Sequence, residues 1–147
     1  MGDPISVAGT AVGITSLGIQ TCQGIIRYYE QFKNFDDEIS ATIQRVKRLN
    51  GILHALEPMV RHLELDNNAI SEQVRLSLSE CKEGLRNLER FAKRCGDTAL
   101  PATGEDRVRL MKKRLLFPFR RDTLQDLHVT LDRLQDNLNS IIQALQL

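Results

Sequence analysis

The side chains best equipped for chemistry in this sequence are three histidines and three cysteines, and their spacing does not bring them together. His54, His62 and His128 fall in segments of helical periodicity, with no cysteine, serine or acid arranged beside them for nucleophilic attack. They are expected at the surface or the edge of a core, and no catalytic residue is assigned. Cys22, Cys81 and Cys95 are odd in number, widely spaced and outside any CxxC pattern. That speaks against both a disulfide framework and a zinc site, and fits a reducing intracellular compartment. No strand is expected, so no glycine-rich phosphate loop can follow one. Neither a cofactor nor an enzymatic activity is expected.

Two other features are less ordinary. From Ile5 to Ile26 there are 22 residues without a charge, preceded by Asp3-Pro4, a good helix cap followed by a proline at the first helical position. Ile5, Val7, Val12, Ile14, Leu17, Ile19, Ile25 and Ile26 are spread around the whole circumference, unlike an amphipathic surface helix. Gly9, Gly13, Gly18 and Gly24 each cost about 1 kcal/mol of helix propensity, so close packing should favour small residues there. Gly9 and Gly13 form a GxxxG pair on one face. One reading is a central helix buried in a bundle. The other is a conditional membrane insert: at about 1.5 Å per residue the segment would reach about 33 Å, against roughly 30 Å of hydrocarbon. Its eight large aliphatic side chains supply only about −2 to −5 kcal/mol on an insertion scale, much of it offset by polar residues and glycines.

The second feature is a basic run. Arg107, Arg109, Lys112, Lys113, Arg114, Arg120 and Arg121 put seven positive charges into residues 107–121 with no acid among them. Anionic lipid would be attracted at up to about 1 kcal/mol per charge, and Phe117 and Phe119 suit an interface. A solvated segment is the plain alternative, and nucleic acid is a third reading that is not adopted: the net charge of +1 gives the whole molecule no strong field.

These features must be placed by helices. A length of 147 residues, with 41% hydrophobic and 27% charged, fits one domain. Steps of three and four link Ile39, Ile43, Val46, Leu49, Leu53, Leu56, Val60 and Leu63, with Pro58 expected to kink or end that helix. The same spacing links Ile70, Val74, Leu78, Cys81, Leu85, Leu88, Ala92 and Cys95, then Leu124, Leu127, Leu131, Leu134, Leu138, Ile141 and Leu145. Helices are expected near 4–31, 36–64, 69–95, 105–116 and 122–147: a single all-α bundle of four to five helices spanning 1–147. The last one lacks a stop signal, which suggests the N-terminal part of a longer protein. Met1-Gly2 and Ser6 fit a myristoylation pattern, but Asp3 makes a poor substrate, and no basic region marks a secretory signal.

Asp3-Pro4-Ile5-Ser6-Val7-Ala8-Gly9, the stretch Gly13 to Gly24, and Tyr28-Tyr29 resemble the N-terminal domain of fungal STAND proteins, the HeLo-like family. Leu116-Phe117-Pro118-Phe119 with its leucine-rich last helix is similar, whereas Phe32 and Phe117 stand where the family often has tryptophan. The resemblance implies a cell-death bundle ahead of a nucleotide-binding oligomerisation module in the same chain. It also implies a self-oligomer, cytoplasmic when inactive, whose N-terminal helix enters the plasma membrane when activated. A protein-protein oligomerisation or adaptor bundle without membrane activity is the alternative, and an accessory domain fused to an enzyme is a third class.

Overall fold

The structure, a computed structural model, describes residues 11–31, 37–65, 69–98, 103–113 and 116–146. The described residues form six α-helices: α1 (Ala11–Glu30), α2 (Asp37–Leu65), α3 (Ala69–Glu80), α4 (Lys82–Asp97), α5 (Gly104–Lys112) and α6 (Arg121–Gln146). A 3-10 turn, Phe117–Phe119, precedes α6, and no strand occurs among the described residues. This is the expected all-α bundle. Helix α1 packs against α2, α3 and α4, while α6 closes the bundle against α2, α3 and α4.

The helical periodicities become one core. Leu53, Leu85 and Leu131, from three different helices, belong to a single buried cluster with Ile14, Ile25, Val46 and Leu138. Two glycines let the helices come close. A Cβ on Gly18 would lie 2.8 Å from Leu53 Cδ1, and one on Gly84 would lie 2.9 Å from Leu134 Cδ2. Gly24 has nothing within 4 Å of such a Cβ, so the expected packing reason does not apply there.

Two boundaries differ from expectation, and a third element, the helix expected over 36–64, is found at Asp37–Leu65. The helix drawn over 69–95 is two: the Cys81 N–H donates to the Leu78 carbonyl at 3.0 Å, three residues back, and this tightened turn separates α3 from α4 at Cys81. Pro58 neither ends nor interrupts α2 as a continuous helix. Both Pro58 and His54, whose carbonyl loses its helical donor, are exposed, so water can serve that oxygen. Helix α5 stops at Lys112 rather than 116, and its start is capped by Thr103 Oγ1, which accepts the Asp106 N–H at 3.2 Å.

Candidate functional site: the central helix and its clasp

Helix α1 carries no charged residue from Ala11 to Ile26, and it sits where such a helix is best protected. Ile14, Ile19 and Ile25 are buried, Gly13 and Gly18 face the interior, and Val12, Leu17 and Ile26 are half-buried. Its polar atoms are settled locally: the buried Thr15 hydroxyl donates to the Ala11 carbonyl at 2.8 Å, as expected of a threonine in a dry helix face. Ile5, Val7 and Gly9 lie outside the described residues, so of the GxxxG pair only Gly13 is placed. A close approach is seen at Gly18, which the GxxxG pattern does not single out. Among the described residues, no helix is long and apolar enough to cross a membrane.

The C-terminal end of α1 is clasped. Tyr29 is fully buried and donates its hydroxyl proton to the Pro118 carbonyl at 2.6 Å. Its ring meets Phe119 edge to face at 5.5 Å and lies nearly parallel to Phe91 at 6.3 Å. Phe91 in turn touches Phe117 at 5.5 Å, and the Arg94 guanidinium lies 3.8 Å from the Phe117 ring centre. Burial holds the Tyr29 phenol well above its ordinary pKa, so it stays a donor. Three pieces of chain thus meet at one point: the end of α1, the C-terminal half of α4 and the Phe-Pro-Phe turn that leads into α6.

The sequence marks these residues only in part. A Phe-Pro-Phe triplet inside a basic run signals a buried turn, and a buried turn carbonyl needs a donor. Nothing local points to Tyr29, which is 89 residues away in sequence.

A second polar contact ties α2 to α6. The buried Thr42 hydroxyl lies 2.9 Å from the Glu38 carbonyl and 2.7 Å from His128 Nε2. One hydroxyl proton cannot serve both; donated to Glu38, it leaves His128 Nε2–H as the second donor. Burial, and then the Arg45 charge, lower the His128 pKa, while Asp132 and Glu38 oppose that shift. His54 and His62 are exposed.

The basic run is less free than its sequence implies. Arg109 pairs with Asp106 at 3.0 Å and Arg120 with Asp122 at 3.7 Å, acids that stand immediately outside residues 107–121. Lys113 and Arg121 are exposed and make no ion pair among the described residues. Arg114 and the side chains of Arg107 and Lys112 lie outside the described part, as do those of Leu63 and Ile70. The three cysteines are buried free thiols. Burial raises Cys22 and Cys95 to about 12 and Cys81 to about 11, which leaves them unreactive near neutral pH. No group of three or more metal-ligating side chains occurs among the described residues.

Comparison with known proteins adds one relative. The azaphilone pigments biosynthesis cluster protein L of the fungus Monascus ruber is 29% identical over 143 residues. The match covers 96% of this chain but only 30% of that protein. No family model matches the chain, and no solved structure matches it.

Proposed function

We propose that this chain is a non-enzymatic effector domain of a fungal immune-receptor-like protein. On this reading it is cytoplasmic at rest, and an adjoining nucleotide-binding module gathers copies of it. The N-terminal helix then leaves the bundle for the plasma membrane, and several copies permeabilise it in regulated cell death. The observation that carries the reading is α1 itself: a helix without a charge from Ala11 to Ile26, stored at the centre of an otherwise charged bundle, in contact with three neighbours. The fungal relative supports it in a limited way, since 70% of that protein lies outside the matched part, taking 100% less 30%, and is free to hold other modules.

Helix α1 alone falls short of a permanent span. That suits insertion conditional on assembly, in which helices share their small-residue faces instead of exposing polar atoms to lipid. A shift from rare to prevalent insertion needs about 5.5 kcal/mol of bias, which oligomerisation would supply. Lys113 and Arg121, exposed and unpaired by acids among the described residues, would meet anionic headgroups first. The test is binding to anionic and neutral vesicles over a range of salt, with Lys113→Glu/Arg121→Glu alongside. Binding should require anionic lipid, weaken as salt shortens the roughly 8 to 10 Å screening length, and fall in the double variant. Equal binding to neutral vesicles would remove the electrostatic part.

The shortfall of α1 in hydropathy also favours a second reading, an adaptor or oligomerisation bundle in which α1 never leaves the core. Oligomers that form without any vesicle leakage would support it.

A further inference from the structure

Three depressions on the outer face share residues and join into one groove. The first, about 400 Å³, lies between Arg90 and Arg94 of α4 and Thr123 and Asp126 of α6. The second, about 180 Å³, shares Asn87 and Thr130 with it and passes Glu80, Glu83 and Arg133. The third, about 330 Å³, shares Glu80 and Asn137 with the second and reaches Ala144. Along the groove α6 rises from Thr123 to Ala144 while the facing arm descends from Arg94 through Asn87 and Glu80 to Gln73. The two walls are therefore antiparallel over 21 steps of α6, or about 32 Å at 1.5 Å each.

Two large apolar side chains stand exposed, Leu76 at 60% and Val129 at 56%; neither lines these depressions, but helical register sets each one turn from residues that do, Leu76 on the α3 wall and Val129 on the α6 wall. Leu76 lies three residues after Gln73 and four before Glu80; Val129 lies three after Asp126 and four before Arg133. By the same register Leu76 is level with Ile141, so the two anchors are 12 residues of α6 apart, about 18 Å. Residues twelve apart on an α-helix are also about 120° apart around its axis, the disposition needed to touch both rims from within the groove. The charges are polarised as well. Arg90, Arg94 and Asp126 leave one end net positive, whereas Glu80, Glu83 and Arg133 leave the next stretch net negative, and none of the six forms an ion pair among the described residues.

We propose that this groove receives one amphipathic helix of a partner protein, six turns or so in length. Its apolar stripe would lie on Leu76 and Val129, with acidic residues over Arg90 and Arg94 and basic residues over Glu80 and Glu83. The groove is long and open to solvent, which suits a helix rather than a compact small molecule. This surface is independent of α1 and of any membrane step.

The test uses the whole chain and two synthetic peptides of about 21 residues. Both carry a leucine stripe with leucines twelve apart; one has glutamates in its first turns and lysines in its last, the other lysines at both ends. The first should bind about tenfold more tightly than the second, as expected of two exposed ion pairs. Amide shift changes on binding should follow the groove from Thr123 to Ala144. Arg90→Glu/Arg94→Glu should invert the preference, and Val129→Asp should weaken both peptides. Arg94 stacks on Phe117, so Arg90→Glu alone replaces the double variant if the latter unfolds; it should reduce the preference. Equal affinity of the two peptides for the unaltered chain, binding of neither, or shifts confined to another face would overturn the proposal.

Discussion

Replacing Tyr29 by phenylalanine isolates the clasp. The substitution keeps the ring, its edge contact with Phe119 and its place against Phe91, and removes only the hydroxyl that donates to Pro118 at 2.6 Å. A typical hydrogen bond contributes about 0.5 to 1.5 kcal/mol, but here the acceptor would be stranded at a fully buried position, so a loss of about 1 to 3 kcal/mol is expected. For a chain of 147 residues, each kcal/mol moves the melting midpoint by about 2 to 4 °C. Thermal and urea denaturation of Tyr29→Phe should therefore show a drop of roughly 2 to 12 °C with an unchanged urea slope. Hydrogen exchange should place the faster opening at the end of α1 near Tyr29. A loss below about 0.5 kcal/mol would refute the argument, because it would mean that water replaces the hydroxyl at Pro118 without cost.

The remaining predictions concern packing and protons. Gly24→Ala should stabilise the fold by about 0.4 to 1 kcal/mol, since its Cβ meets nothing within 4 Å, whereas Gly18→Ala must push Leu53 aside and should cost about 1 to 3 kcal/mol. Equal effects in paired melts would show that Gly18 is not a close contact. His128 has a lowered folded pKa, so the unfolded chain takes up its proton first. Stability from this group is present above the ordinary value of 6.5 and is lost as pH falls through it toward the lower folded value. His128→Gln should flatten the stability profile just below that pH; an unaltered slope would assign the loss to other groups.

How much could be read in advance depends on how local each cause is. The core stripes of α2, α4 and α6 are set by three- and four-residue spacing within one element, and Leu53, Leu85 and Leu131 fall in one core accordingly. The split at Cys81 was not legible, because the three- and four-residue spacing of Val74, Leu78, Cys81, Leu85 and Leu88 runs through it unbroken. Likewise the absence of charge from Ala11 to Ile26 marks that stretch of α1 as buried, but only the assembled bundle shows that Gly18 is a point of close approach to Leu53. The basic run illustrates a window effect: Asp106 and Asp122 stand one residue outside it and neutralise two of its members in space. Tyr29, Pro118 and Arg94 are joined by tertiary packing alone, so their types announce no site.

The central claim, that α1 is a stored effector, is tested most directly by watching one of its residues change environment. Gln23 is exposed in the bundle, and the native thiols are buried with pKa values of about 11 to 12, so a dye sensitive to polarity should label Gln23→Cys selectively. The labelled chain, brought together by a fused oligomerisation module on anionic vesicles loaded with a second dye, should show a blue shift of the label as the contents leak. Leakage with no blue shift, or a folded oligomer on the vesicles with neither change, would contradict the account.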